Sequence, residues 1–321
     1  MIYIFYLVTL FITQLVYLKI ADRYNIIDKP NHRSSHSEII IRGGGIVFPV
    51  SVLIWFATSG FQYPFFVAGL LLVAIVSFID DIREFSKRMR LLAQLLAMVL
   101  VLIQLNMTTL STFVIIGIFI FFIGAINAYN FMDGINGITG MYSLVALLTL
   151  LWINIYQINF IDTSLILSVI TGVAVFNFFN SRPRAKCFAG DVGSISIAFI
   201  ICFLLMKLIL QTSDIRYILL LIVYGIDTMI TIAIRSFKRE NIFVAHRSHL
   251  YQLLVNEQKY KHLTVAVWYS LAQAIINVVL VNGIAHNTYK LSATFVIILI
   301  VLYISTRIAI NRKRLSKTSN I

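Results

Sequence analysis

Charge is scarce in this 321-residue chain: 12% of its residues are Asp, Glu, Lys or Arg, against about a quarter in soluble domains, and 60% are hydrophobic. That excludes a soluble globular domain, and a mean hydropathy of +0.90 agrees. Four prolines and fifteen glycines exclude a collagen-like chain or a low-complexity linker. The apolar runs lack the short alternating pattern of an outer-membrane barrel. What remains is an all-α integral membrane protein. Its two cysteines, Cys187 and Cys202, form no CxxC pair, so neither a disulfide framework nor a structural zinc site is expected. Acids are the scarcer charge, 13 against 26 Lys and Arg, giving +13. In a soluble chain that excess would suggest nucleic acid; in a membrane protein it first reports orientation, and no nucleic-acid partner is expected.

A hydrocarbon core needs about 20 apolar residues per helix. By that measure the spans fall at 2–20, 44–60, 62–79, 91–106, 109–127, 138–157, 163–180, 192–210, 215–234, 264–282 and 290–308, a bundle of about eleven transmembrane helices. The first run has neither a basic start nor a small-residue cleavage site, so it reads as a retained span. With the amino terminus periplasmic, twenty-two Lys and Arg fall in inside segments and three (Lys207, Arg216, Lys290) outside. The positive-inside bias then places the carboxyl terminus in the cytoplasm. No soluble domain interrupts the chain. Residues 1–321 read as one polytopic domain with cytoplasmic segments at about 21–43, 80–90, 127–137, 181–191 and 235–263.

Those five segments hold the chemistry. The first runs from Asp28 through His32 and His36 to Arg42-Gly43-Gly44-Gly45, where glycines before a helix would let backbone N–H groups approach a phosphate beside the Arg42 charge. The second is Asp80-Asp81 after the third helix. Two such charges about 5 Å apart repel by about 3 kcal/mol at an effective dielectric near 20, which a bound magnesium or a shared proton would relieve. The third, Asn127 to Gly137, sets Asn127, Asn130 and Asp133 at i, i+3 spacing on one helix face, with oxygens suited to magnesium, ribose or uracil edges. The fourth, Phe188 to Ser194, sets Asp191 between glycines at a helix start, either as a cap or as a ligand to a metal that bridges phosphates. In the fifth, His246-Arg247-Ser248-His249 suits phosphate or sugar contact better than zinc, which needs a third ligand. Each segment alone also has a structural reading as a turn, cap or interfacial anchor.

Together, Asp-Asp after the third helix, NxxNxxDGxxG after the fifth, FxGDxGS before the eighth and a histidine motif in the last large cytoplasmic loop resemble a known family. They are similar to the polyprenyl-phosphate N-acetylhexosamine-1-phosphate transferases (glycosyltransferase family 4), which include translocase I of peptidoglycan synthesis and the enzyme that starts enterobacterial common antigen. The resemblance covers about residues 20–260. It implies a bundle of ten or eleven helices with a cytoplasmic cleft, and a magnesium ion, or manganese in its place, on Asp191 with Asn130 as second ligand. By the same resemblance, Asp80 deprotonates or positions the lipid phosphate, Asp81 stands near the nucleotide or metal, and Asp133 lies in the nucleotide pocket. Arg42, Asn127, His246, Arg247 and His249 are then substrate-binding. Where translocase I has three consecutive histidines this chain has His-Arg-Ser-His, which resembles the members that initiate O-antigen or other surface polysaccharides. Ile39-Ile40-Ile41 departs from the proline-threonine turn common in relatives.

The implied reaction is attack of a polyprenyl (undecaprenyl) phosphate oxygen on the β-phosphorus of a UDP-N-acetyl sugar at the bacterial inner membrane, with release of UMP. The resemblance also implies a homodimer surrounded by membrane lipid. The rival class is a secondary transporter of the inner membrane, whose binding groups would lie at the bilayer midplane. Only Asp227 among the acids lies well inside an expected span, either facing the cleft from below or serving the bundle structurally.

Overall fold

The computed structural model describes residues 2–28, 39–83, 85–241, 244, 246–285 and 289–318. Residues 29–38 of the first expected segment, including His32 and His36, lie outside them. Among the described residues twelve α-helices run in the order α1 Ile2–Arg23, α2 Val47–Thr58, α3 Pro64–Ile82, α4 Lys87–Gln104, α5 Thr112–Met132, α6 Ile138–Tyr156, α7 Thr163–Asn180, α8 Gly190–Thr212, α9 Ile222–Phe237, α10 Leu250–Asn256, α11 His262–Ala285 and α12 Tyr289–Thr318. One departure from an all-helical chain is a two-residue antiparallel pair, β1 Ile27–Asp28 with β2 Ile40–Ile41, in the register Ile27 to Ile41.

Among the described residues nine helices are long and apolar enough to cross a membrane: α1, α3, α5, α6, α7, α8, α9 with the 3-10 turn before it, α11 and α12. The protein is a multi-pass membrane protein. Two of the eleven expected spans fall short of that measure. Helix α2 has 12 residues, extended by one 3-10 turn over Gly44–Ile46. Helix α4 has 18, but opens on Lys87, Arg88 and Arg90, so its apolar length is shorter than its helical length.

Helix α8 is the axis of the bundle: 89% of its most apolar stretch is buried against protein, compared with 17% for α12. A helix that is apolar all round suits both the bundle interior and a lipid contact, so contacts rather than composition separate the two. Phe199 and Phe203 of α8 stack on Phe66 of α3, the Phe66–Phe203 ring centroids 3.9 Å apart, and Phe122 of α5 meets Phe199 edge-on. At its amino-terminal end α8 lies against the turn before α2. A Cβ on Gly193 would stand 2.7 Å from Gly45 Cα, so both positions need glycine for the backbones to approach.

Candidate active site

The carboxyl ends of α3 and α5 and the amino ends of α4 and α8 meet with the segment that follows β2. Asp81, on the last turn of α3, accepts the backbone N–H groups of Asp191 at 2.8 Å and Val192 at 2.9 Å. Those are two of the four donors that a helix leaves unpaired at its start, so an aspartate from one helix caps another. Arg42 Nε lies 2.7 Å from Asp81 Oδ1, and Arg42 Nη2 is 3.2 Å from Asp191 Oδ1. Arg90 Nη1 bridges Asp80 Oδ2 at 2.6 Å and Asp191 Oδ2 at 2.7 Å. Asp80 Oδ1 also accepts the Phe85 N–H, and Asn130 Nδ2 donates to Asp191 Oδ1 at 3.0 Å and to Ser194 Oγ at 3.2 Å.

The repulsion between adjacent aspartates is therefore met by arginines. Their side chains also differ in access: Asp81 has no solvent exposure, whereas Asp80 and Asp191 retain 11% and 13%. Asp81 is used up in holding α3, α8 and Arg42 together. Asp80 and Asp191 are the pair open to a ligand.

Arg42 is placed by backbone pairing. Phe188 N–H donates to the Ile41 carbonyl, Gly44 N–H to that of Phe188 and Gly45 N–H to that of Ala189, each at 2.8 to 3.0 Å. This corrects the expectation that the glycines offer their N–H groups to a phosphate. Those of Gly44 and Gly45 are taken by residues 188 and 189, and the glycines serve close packing, with Gly43 at φ 78° turning the chain.

A cleft of about 840 Å³ opens beside the cluster, lined by Lys87, Arg90, Gln94, Asn127, Asn130, His246, His249 and Gln252 among others. Its basic, amide and imidazole groups suit an anionic ligand with hydrogen-bonding edges. Asn127 Nδ2 donates to the Ile123 carbonyl and approaches Gln94 Oε1 at 3.4 Å. The rings of His246 and His249 are 5.0 Å apart. His246 Nδ1 accepts the Ser248 N–H at 3.3 Å, so a neutral His246 carries its proton on Nε2. Burial, then the neighbouring His249 and Arg235, push the His246 pKa down to about 4, which keeps the ring neutral at pH 7.

The structure brings Arg42, Asp80, Asp81, Asn130 and Asp191 into one cluster and sets Asn127, His246 and His249 along the cleft. Asp133 makes none of these contacts and is not among the cleft-lining residues. It stands at the end of α5, accepts the Thr139 hydroxyl at 2.5 Å, and is pushed up to about 7, chiefly by burial. Arg247 is partly buried and lies outside the cleft lining. Asn136 and Gly137 of the same motif serve the fold, Asn136 donating to the Arg182 and Pro183 carbonyls and Gly137 N–H to Asn180 Oδ1. Sequence reasoning missed Arg90, which it counted only as an orientation charge, along with Lys87 and Gln94. A signal was there: Arg90 and Gln94, at i and i+4, share a helix face with each other.

Paired acids bridged by arginine beside an amide-lined cleft, at the ends of membrane helices, are the setting in which comparison with known proteins becomes informative. Residues 63–209 match the model of glycosyl transferase family 4. No curated protein matches the chain. The glycosyl transferase family 4 match runs from the start of α3 through most of α8, so Asp80, Asp81, Arg90, Asn127, Asn130, Asp133 and Asp191 lie inside it, and Arg42 and the histidine segment lie outside. The match spans a little under half of the chain; similarity to glycosyl transferase family 4 over that stretch supports a transferase activity in general.

Proposed function

We propose that the protein transfers an N-acetylhexosamine-1-phosphate from a UDP-sugar to polyprenyl phosphate, undecaprenyl phosphate in a bacterial inner membrane, at the cytoplasmic face. UMP leaves, and the lipid-linked sugar begins an O-antigen, capsule or other surface polysaccharide. The observation that carries this reading is the Asp80–Arg90–Asp191–Arg42 cluster beside a cleft lined with basic and amide groups. Phosphoryl transfer asks a protein mainly for positioning and for neutralisation of charge.

Magnesium fits the donors present. Among the described residues no group of three or more His, Cys, Asp or Glu is arranged to hold a metal. Magnesium does not need one, since it is commonly held by one or two carboxylates together with substrate phosphates and water. Asp80 and Asp191 are near enough to share one cationic nitrogen and supply only oxygen. They would hold the ion, with Asn130 beside Asp191; as the amide is turned here, Nδ2 rather than Oδ1 faces that carboxylate. The ion would supply neutralisation of the diphosphate charge that grows as UMP departs.

The chain's own groups account for the rest. A phosphate monoester has a second pKa of about 6, so the lipid phosphate is largely dianionic at pH 7 and needs orientation more than deprotonation. Asp80, the exposed member of its pair, provides that orientation through Arg90. Lys87 and Arg90 hold phosphate oxygens, Asn127 and Gln94 offer amide edges to the nucleotide, and His246 gives its Nε2–H to the substrate. Asp81 fixes the start of α8 so that Asp191 does not drift. Purified protein incubated with polyprenyl phosphate, magnesium and a panel of UDP-sugars should release UMP with at least one sugar and only when the lipid is present. No UMP with any member of the panel would overturn the proposal.

A further inference from the structure

Two groups of cleft residues come from segments far apart in sequence: Asn127, Asn130 and Phe131 from α5, and His246, His249 and Gln252 from the turn before α10 and its first residues. A substrate that touches both needs them held at a fixed separation. Within the second group, the His249 side chain accepts the Gln252 N–H, and Gln252 Oε1 accepts the His249 N–H at 3.3 Å. Asp227, buried in α9, accepts the Leu250 N–H at 3.1 Å, so the acid inside the span serves the bundle. Neither contact reaches α5.

Tyr251 does. It is buried and outside the cleft lining, and its hydroxyl donates to the Phe131 carbonyl at 2.9 Å. That carbonyl is among the last four of α5, which the helix itself leaves without a partner. The Tyr251 ring lies 6.0 Å from that of His249 and meets Tyr269 of α11 edge-on at 6.4 Å. Gly134 makes the room. A Cβ there would overlap the Tyr251 hydroxyl and stand 3.0 Å from its Cζ. Unlike Gly137, Gly134 has no left-handed φ, so glycine is needed there for space rather than for the turn. With His249 and Tyr269 packed against it, Tyr251 cannot swing clear of an added methyl group without shifting α10. We propose that Tyr251, seated in the space that Gly134 leaves, is a positioning residue: it fixes the histidine segment against the Asn127–Asn130 face of α5 at the separation the nucleotide-sugar needs. The ligand's identity rests on the transferase reading; the seat itself does not.

Kinetics of the detergent-purified protein separate positioning from mere support. Tyr251→Phe removes the hydroxyl alone and should raise KM for the UDP-sugar about 3- to 10-fold at near wild-type kcat, because a contact made equally before and in the transition state appears in KM. Loss of folded protein would instead lower the apparent kcat and leave KM unchanged. That outcome, or wild-type values of both, would overturn the proposal. Gly134→Ala should raise KM about 10- to 100-fold, and adding Tyr251→Phe should recover part of that loss, since the overlapping atom is gone. Losses that simply multiply would overturn the proposal too. Should Gly134→Ala not fold, amide hydrogen exchange of Tyr251→Phe decides. Residues 246–252 should exchange faster than in wild type, with α3 and α8 unchanged; equal exchange at 246–252 would refute the seat. Exchange needs no substrate, so wild-type protein that releases no UMP while Tyr251→Phe loosens 246–252 would sink the transferase reading and leave the seat standing.

Discussion

Arg90→Ala removes a cation that joins Asp80 to Asp191. Because Nη1 is 2.6 Å from one Oδ2 and 2.7 Å from the other, those oxygens sit within about 5 Å of each other, and two full charges there repel by about 3 kcal/mol at an effective dielectric near 20. The Arg90 side chain is 27% exposed, and water screens part of this, so about 2 kcal/mol of the lost balance should reach the site. The carboxylates would then separate or share a proton, and either change misplaces the groups that face the phosphates. In turnover about 2 kcal/mol is roughly a 30-fold fall in kcat. The assay is UMP release at saturating UDP-sugar, with a melting curve on the same sample to show that the bundle is intact. Arg90→Lys, which keeps the charge but reaches less far, should recover part of the loss. Arg90→Ala with kcat within a factor of two of wild type would show that the bridge does not govern the site.

Asp191→Asn should lower UMP release by orders of magnitude while membrane insertion and the melting curve stay near wild type, since it removes a charge without removing volume. Gly193→Ala should lower the melting temperature and activity together, because its Cβ would stand 2.7 Å from Gly45 Cα and inserted methyl groups in packed interiors cost about 1–3 kcal/mol. His246 has a folded pKa of about 4, below its ordinary 6.5, so the folded protein binds fewer protons between those values and loses stability as the pH falls through that window. The melting temperature of His246→Gln, followed from pH 7 to pH 4, should fall less than that of wild type. Reporter fusions near residues 85, 185 and 240 should all report the cytoplasm.

Long apolar runs made the membrane helices legible, because span length is imposed by the bilayer and needs no knowledge of neighbours. They could not separate α2 and α4 from true spans, since a short buried helix and a helix with a basic first turn carry similar apolar runs. Asp80, Asp81, Asn130 and Asp191 were visible because acids and amides at the ends of apolar helices are conspicuous. Their partition was not. Which aspartate caps α8 and which faces the cleft depends on how α3 meets α8, a contact between residues 110 apart. The glycines of residues 43–45 read as a phosphate cradle because sequence shows the donors but not the Phe188 and Ala189 carbonyls that take two of them. Asp227 stood out as a charge inside a span, yet its partners beyond its own helix, His249 and Leu250, Tyr269 and Tyr303, come from three other segments of the chain.

The most direct test follows the phosphorus. UDP-N-acetyl sugar labelled at the β-phosphate, incubated with the protein, magnesium and polyprenyl phosphate, should pass its label into the lipid phase while UMP accumulates unlabelled in water. Label that stays in water as UDP, with the sugar alone moving to lipid, would mean that the bond broken is the glycosidic one. The proposed attack on phosphorus beside Asp80 and Asp191 would then be wrong.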